Sequence, residues 1–371
     1  MTREAAVRWA AIDIGTNSVR LLVADLGGDT LVPVRRDLRL VRLGQGVHGR
    51  RRLDPEAAAR TAAAVGELAA QARALGARDV VVAGTSALRD AQDREAFCRR
   101  IQEAYGLSVA ILSGAGEAAL SFLGAVRGLG GNTAGADGGS GAAVRADGGP
   151  GAHGSPAGRG AHPVWVVDVG GGSTEVVRGT ADGQVAARAS ADVGAVRMTE
   201  AWVRSDPVSP RDWQHLTAAI RRGLAPLWEH LAAAATAASG LAPADFDEAA
   251  GHQLIGVGGT ATTLAAMDQR LDPYDPAKVH GYCLGREAVD RLVDRMRAAT
   301  VAERRTWPGL QPARADIILA GAAIVQAVMA HLGAGQLVVS EADLLDGLIL
   351  WAARGGRDPA YLVDPVRGPG I

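Results

Sequence analysis

Two stretches of this chain place an aspartate, a glycine turn and hydroxyl side chains in the same order: Ile12-Asp13-Ile14-Gly15-Thr16-Asn17-Ser18 and Val167-Asp168-Val169-Gly170-Gly171-Gly172-Ser173-Thr174-Glu175. In each, an apolar run ends near the aspartate and glycine lets the backbone fold back. A second apolar run follows, through Val19, Leu21, Leu22 and Val23 in one copy and Val176 and Val177 in the other. A strand, turn, strand unit of this kind aims consecutive backbone N–H groups at the turn, and such groups bind anionic oxygens. One Asp-Gly turn alone is an ordinary hairpin, since these residues dominate turns for steric reasons. Two matched copies half a chain apart point instead to two related domains facing one phosphate. A third glycine turn, Gly256-Val257-Gly258-Gly259-Thr260-Ala261-Thr262-Thr263, follows an apolar run from Leu254 and opens a helix, which adds N–H donors at a helix N-terminus.

The rest of the chain narrows the chemistry. With 371 residues, 48% hydrophobic content and a net charge of -1, two domains with real cores are expected, and nothing in the charge suggests a nucleic-acid partner. Lys278 is the sole lysine, and it sits between Ala277 and Val279 rather than after a glycine loop, which excludes a Walker A nucleotide site. Cys98 and Cys283 have neither CxxC spacing nor a histidine cluster, so no disulfide framework or zinc site is indicated and a reducing cytoplasm fits. Arg3, Glu4 and Arg8 interrupt the N-terminal stretch, which therefore does not read as a signal peptide. The apolar stretch from Ile317 to Ala330 contains Gln326 and falls short of a membrane span; it reads as a buried helix, and no membrane partner is expected.

The elements that must position the turns alternate between strand and helix. After the first hairpin, Arg35, Arg36, Arg39, Arg42, Arg50, Arg51 and Arg52 are opposed only by Asp37 and read mainly as a solvated rim. Asp54 caps a helix with Pro55 at its first position and a stop at Gly76; a strand near 79–83, a helix over 93–105 and a strand over 108–112 follow. From Gly128 to about His162 the composition turns to Gly, Ala, Ser, Asp and Pro without apolar period, which predicts a flexible insertion. Beyond it the pattern predicts the second hairpin, helices near 196–204 and 210–238, a strand at 253–257, helices near 285–299 and 315–332, a strand from Gln336 to Val339 and a helix from about Asp343 to Ala353. The expected organisation is a first α/β domain over 1–127, the insertion over 128–162, and a second domain over 163–340. A C-terminal helix within 341–355 would pack back on the first domain, before a loose tail over 356–371.

The paired hairpins resemble the actin-like ATPase superfamily, whose members bind phosphates in a cleft flanked by two ribonuclease-H-like α/β domains. Four further segments resemble its exopolyphosphatase and guanosine pentaphosphate phosphatase family: Gly84-Thr85-Ser86-Ala87-Leu88-Arg89-Asp90-Ala91, Leu112-Ser113-Gly114-Ala115-Gly116-Glu117-Ala118-Ala119-Leu120, the Asp168 to Glu175 run, and Arg314-Ala315-Asp316-Ile317-Ile318. Val41-Arg42-Leu43-Gly44-Gln45-Gly46 and Val339-Ser340-Glu341-Ala342-Asp343-Leu344-Leu345-Asp346-Gly347 extend the similarity over nearly the whole chain. The likeness is greatest to the short, two-domain actinobacterial form.

The resemblance implies a role for Glu117 as the base that takes a proton from the attacking water. The family usually shows two adjacent glutamates here, where this chain has Gly116 and Glu117. A dinucleotide turn, which Gly114, Gly116 and Ala119 imitate, fails because no second strand ending in an acidic residue follows. Asp168 and Glu175 match magnesium-associated carboxylates of the family, Asp13 holds the equivalent place in the first hairpin, and Mg2+ is the cofactor implied. Phosphate contacts are expected from Gly15, Thr16, Asn17, Ser18, Gly170, Gly171, Gly172, Ser173 and Thr174, from Gly258, Gly259 and Thr260, and from the guanidinium forks of Arg20 and Arg89. The activity implied is release of terminal orthophosphate from inorganic polyphosphate, with guanosine pentaphosphate as the alternative substrate. A phosphotransferase of the sugar or acetate kinase type, and a non-catalytic polyphosphate or alarmone sensor, stay open, as does a homodimer. Leu345, where many relatives carry arginine, keeps the sensor reading in play. The chain is 4% aromatic and has no aromatic residue in the family-like segments around the turns, which favours a substrate without a ring.

Overall fold

The computed structural model describes residues 6–28, 30–130, 163–239 and 253–356. The flexible insertion expected over 128–162 and the loose tail expected over 356–371 lie almost wholly outside the described residues. In chain order the first half forms β1 (Val7–Ile14), β2 (Ser18–Gly27), β3 (Thr30–Leu40), α1 (Val47–Arg50), α2 (Pro55–Ala74), β4 (Asp79–Gly84), α3 (Ser86–Asp90), α4 (Arg94–Tyr105), β5 (Val109–Ile111) and α5 (Gly114–Gly130). The second half begins with β6 (Pro163–Val169), β7 (Thr174–Thr180), β8 (Val185–Ala191), α6 (Ala195–Trp202), α7 (Pro210–Ser239), β9 (Gln253–Val257) and α8 (Gly258–Asp268). It continues with α9 (Pro276–Val279), β10 (Cys283–Gly285), α10 (Arg286–Ala298), α11 (Val301–Arg304), a 3-10 turn at Pro312–Arg314, α12 (Ile318–His331), β11 (Gln336–Val339) and α13 (Leu344–Ala353).

The two halves share a plan. The first sheet runs β3-β2-β1-β4-β5, with the first three strands antiparallel and β4 and β5 added in parallel. The second runs β8-β7-β6-β9-β11, again with three antiparallel strands followed by parallel ones, and β10 closes its far edge antiparallel to β11. Central strands β1 and β6 are buried on both faces near their ends, which is why residues 9–12 and 164–167 read as apolar runs without alternation. Helix α2 begins where Asp54 accepts hydrogen bonds from Glu56 N and Ala57 N, and Ala58, Ala62, Val65, Leu68, Ala69 and Ala72 recur at helical spacing on its buried side.

The two halves exchange a helix. Phe122 and Val126 of α5 pack on Val164, Val166, Val177, Ile255 and Val257 of the second sheet. Leu344, Leu345, Leu348 and Ile349 of α13 pack on Ala11, Leu22, Ala24 and Ala83 of the first. Leu345 is thus a core residue here. The two helices cross in backbone contact: a Cβ on Gly124 would lie 1.9 Å from the Asp343 carbonyl oxygen, and one on Gly347 would lie 2.0 Å from that of Leu120.

The arginine-rich stretch keeps the solvated rim read in the sequence at Arg35, Arg50, Arg51 and Arg52, which are exposed, and departs from it at Arg36, Arg39 and Arg42. Residues 30–40 form an edge strand instead, paired along β2, and its charges and Pro33 hide the period that a half-buried strand shows. Arg36 bonds Asp346 at 3.0 Å, and Arg42 bonds Asp316 at 2.8 Å across to the second half, so part of this charge holds the halves together. Among the described residues no helix is long and apolar enough to cross a membrane.

Candidate active site

The two hairpins place like residues in like positions, with one difference. Directly opposite residues of antiparallel strands project from the same face. Asp13 stands opposite Arg20, and Asp168 stands opposite Glu175. In the first hairpin the pair closes as Arg20 Nη2 donates to Asp13 Oδ2 at 2.8 Å, and Arg20 also pairs with Asp343 at the cap of α13. Burial disfavours the Arg20 charge, yet Asp343, Asp13 and Asp168 outweigh it and hold the guanidinium more firmly protonated than usual. In the second hairpin two carboxylates share a face. Glu175 accepts a 2.7 Å hydrogen bond from Ser190, its opposite on β8, and burial followed by the Glu117 charge pushes its pKa well up.

Carbonyl bonding orients the turns. Gly170 O accepts from Ala195 N, Gly171 O accepts from Val196 N and Arg197 N, and Gly172 O accepts from Arg197 Nε at 2.7 Å, so α6 holds three consecutive carbonyls. In a trans peptide the N–H points opposite to the C=O. The N–H groups of Gly171, Gly172 and Ser173 consequently face away from α6, and all three residues line the cleft. In the first hairpin Thr16 O accepts from Gly44 N, and Asn17 O accepts from Val41 N and Arg42 N, which turns the Asn17 and Ser18 N–H groups in the same way. Gly258 and Gly259 open α8, whose first N–H groups supply a third set of donors. The turns meet closely: a Cβ on Gly172 would lie 2.3 Å from Ser86 Oγ.

These groups line one cleft of about 80 Å3, together with Asp13, Gly15, Thr16, Arg20, Glu117, Asp168, Gly170 and Thr260. Glu117 enters from the first turn of α5, 8% exposed, and Arg89 Nη1 donates to its Oε2 at 3.0 Å. Burial, opposed by Arg89, raises the Glu117 pKa to about 7. Burial also raises Asp168 to about 6, with the nearby Asp343 charge adding to it, and raises Asp13 against the pull of Arg20. Gly116 is buried beside Glu117 without reaching the wall, so a single glutamate serves the cleft from this helix.

Three residues expected at phosphate or metal stand behind the wall. Arg89 reaches the cleft only through Glu117, Thr174 donates its hydroxyl to Val193 O, and Glu175 is turned to Ser190. The structure adds Thr85, Ser86 and Arg314, which stood in family-like segments without an assigned role. The Arg314 guanidinium lies over Gly259, its Nε donates to Gln311 at 3.0 Å, and no described carboxylate pairs with it. Burial, with Arg20 nearby, lowers its pKa to about 10, which leaves it charged near neutrality. An arginine in a short 3-10 turn carries no sequence signal beyond its motif. Tyr274, from outside the family-like segments, bonds Glu341 and sits beside Thr262 and Arg314.

The donor set suits a magnesium ion that keeps waters and takes phosphate oxygens. Among the described residues Asp13 Oδ1 is buried without a hydrogen-bond partner, and Asp168 also lines the cleft, with Oδ2 on Ser121 and Oδ1 over Gly258. Among the described residues no cluster of three or more His, Cys, Asp or Glu side chains could hold a metal alone. Two carboxylates plus substrate is the usual arrangement for this hard ion.

The model of the Ppx/GppA phosphatase family matches residues 22–142 and 159–353. This chain belongs to that family. Among curated Ppx/GppA relatives, exopolyphosphatase 2 of Mycobacterium tuberculosis is 36% identical, with 93% of this chain and 98% of the relative covered. A solved exopolyphosphatase-like protein superposes with a TM-score of 0.77 at 31% identity, covering 95% of this chain and 99% of its own. The Aquifex aeolicus PPX-GPPA enzyme gives 0.69 at 26% identity, covering 93% and 99%. With these neighbours the repeated sheets are the two ribonuclease-H-like domains of the actin-like ATPase fold, and the Ppx/GppA assignment makes the chain a phosphatase.

Proposed function

We propose that this phosphatase hydrolyses the terminal phosphoanhydride of inorganic polyphosphate, releasing orthophosphate with Mg2+ as cofactor. The observation that carries the reading is Glu117, a buried carboxylate with a pKa near 7 on the wall of a cleft that backbone N–H groups of both hairpins face. A base titrating near the working pH is both available as carboxylate and basic enough to take a proton. Water attacks the terminal phosphorus and gives its proton to Glu117 as the new P–O bond forms. The bridging oxygen leaves with its bonding pair on the shortened chain. The turn N–H groups, Arg20 and Arg314 are arranged to meet charge on the phosphoryl oxygens. Bound between Asp13, Asp168 and the substrate, Mg2+ would offset part of that charge.

The cleft volume of about 80 Å3 suits a single phosphoryl group. The name of the relative from Mycobacterium tuberculosis agrees with polyphosphate as substrate. Tyr274 favours a second reading, guanosine pentaphosphate, because it offers one aromatic side chain, 43% exposed, beside Arg314. Phosphate release from both compounds at one salt concentration decides between them. The expected result is a higher kcat/KM for polyphosphate, falling steeply with salt as a polyanion's binding does. A higher kcat/KM for guanosine pentaphosphate, lost in Tyr274→Ala, would select the second reading.

A further inference from the structure

Arg197 has no place on the cleft wall, yet it touches the second phosphate turn and the opposite domain together. Its side chain is 7% exposed. Nε donates to Gly172 O at 2.7 Å, Nη2 bonds Asp90 at the end of α3, and Nη1 meets His48 Nδ1 in α1. The exposed Asp192 lies 3.6 Å from Nη2. A guanidinium only donates, so His48 accepts through Nδ1 and carries its proton on Nε2. Asp90 and His48 belong to the first domain, Gly172 and Arg197 to the second. Three residues along α6, Glu200 accepts from Gly46 N at 3.2 Å, a second link from the same helix to the first domain.

We propose that Arg197 is a positioning residue that couples closure of the two domains to assembly of the phosphate cradle. The proposal rests on the phosphohydrolase reading above. Its physical content is in the Gly172 carbonyl. Held by Arg197, that carbonyl directs the Ser173 N–H into the cleft, because the two groups of one peptide point opposite ways. The same guanidinium is satisfied only when Asp90 and His48 are in place. Moving the domains apart strips a buried cation of its partners, which is strongly unfavourable unless water replaces them. Closed domains therefore hold the guanidinium in the pose in which its Nε fixes the Gly172 carbonyl and orients the Ser173 N–H. The planar fork makes all three contacts at once, and a lysine ammonium lacks that geometry.

The test is a double-mutant cycle on the full chain with Arg197→Ala, Asp90→Asn and the pair, and with Arg197→Lys as the conservative variant. Inorganic phosphate binding is measured by calorimetry, and kcat and KM are measured on polyphosphate. Expected are a fall of about tenfold or more in phosphate affinity and in kcat for Arg197→Ala, a smaller fall for Asp90→Asn, and partial recovery in Arg197→Lys. The double variant should be no worse than Arg197→Ala alone, because Asp90 acts through Arg197. Additive losses, or phosphate binding equal to the parent's in both single variants, overturn the proposal; so does a parent that binds no inorganic phosphate. If Arg197→Ala does not fold, Arg197→Lys combined with Asp90→Asn forms the cycle with the same criteria. A parent that binds phosphate but releases none from polyphosphate refutes the phosphohydrolase reading, while the binding cycle still decides the role of Arg197.

Discussion

Arg89 Nη1 donates to Glu117 Oε2 at 3.0 Å, while the other terminal nitrogen of the same guanidinium is buried without a hydrogen-bond partner among the described residues. The pair joins α3 to α5 and sets two properties of the glutamate. It fixes the carboxylate at the cleft wall, and it opposes the burial that raises the Glu117 pKa.

Removing Arg89 shifts the pH dependence. The base works as carboxylate, so turnover rises with pH through its pKa. Without the neighbouring cation that pKa climbs, and the rise in kcat moves to higher pH by about one unit or more in Arg89→Ala. Profiles of kcat between pH 5 and 9 check this; an unmoved midpoint removes Arg89 from the tuning of Glu117.

Replacing the base separates activity from stability. Glu117→Gln should lower kcat by about 10²-fold or more with substrate affinity retained. The folded pKa near 7 lies above the ordinary value of 4.5, so the fold prefers the protonated form. The stability linked to this group is fully present below pH 4.5 and is lost as the pH rises through about 7. A neutral amide escapes that loss. The variant should gain up to about 3 kcal/mol over the parent at pH 8 and little at pH 4.5. Urea unfolding at both pH values measures the difference, and parallel stabilities would show that Glu117 is not held protonated by the fold.

Two of the three carboxylates expected at magnesium should now part company. Asp168 lines the cleft and Glu175 faces Ser190 behind it. Asp168→Asn should raise the Mg2+ concentration for half-maximal activity several-fold, since a ligand charge is lost, on the order of the change expected for one carboxylate. Glu175→Gln should leave that concentration near the parent's. Magnesium titrations of the two variants check this, and an equal rise in both would bring Glu175 into the metal's reach.

The paired turns of this protein were legible in its sequence. The paired turns are short-range objects: an aspartate ending a strand, glycines that fold the chain back, and hydroxyls after them lie within a few residues, so order along the chain is enough to reveal them. The Asp54-Pro55 start of α2 and the strands at 253–257 and 336–339 were readable for the same reason. What the turns face was not. An apolar stripe states that a face is buried and leaves its partner open, so the exchange of α5 and α13 between the sheets appears only in three dimensions. Nor do charges announce their partners. Arg20 meets Asp343 and Arg36 meets Asp346 across most of the chain, and Arg197 joins Gly172 of one domain to Asp90 of the other. Of these three, the sequence placed Arg36 on a rim and Arg20 at phosphate, and gave Arg197 no role. Tertiary packing desolvated several of them, and a desolvated cation has to find a carboxylate, a carbonyl or a phosphate.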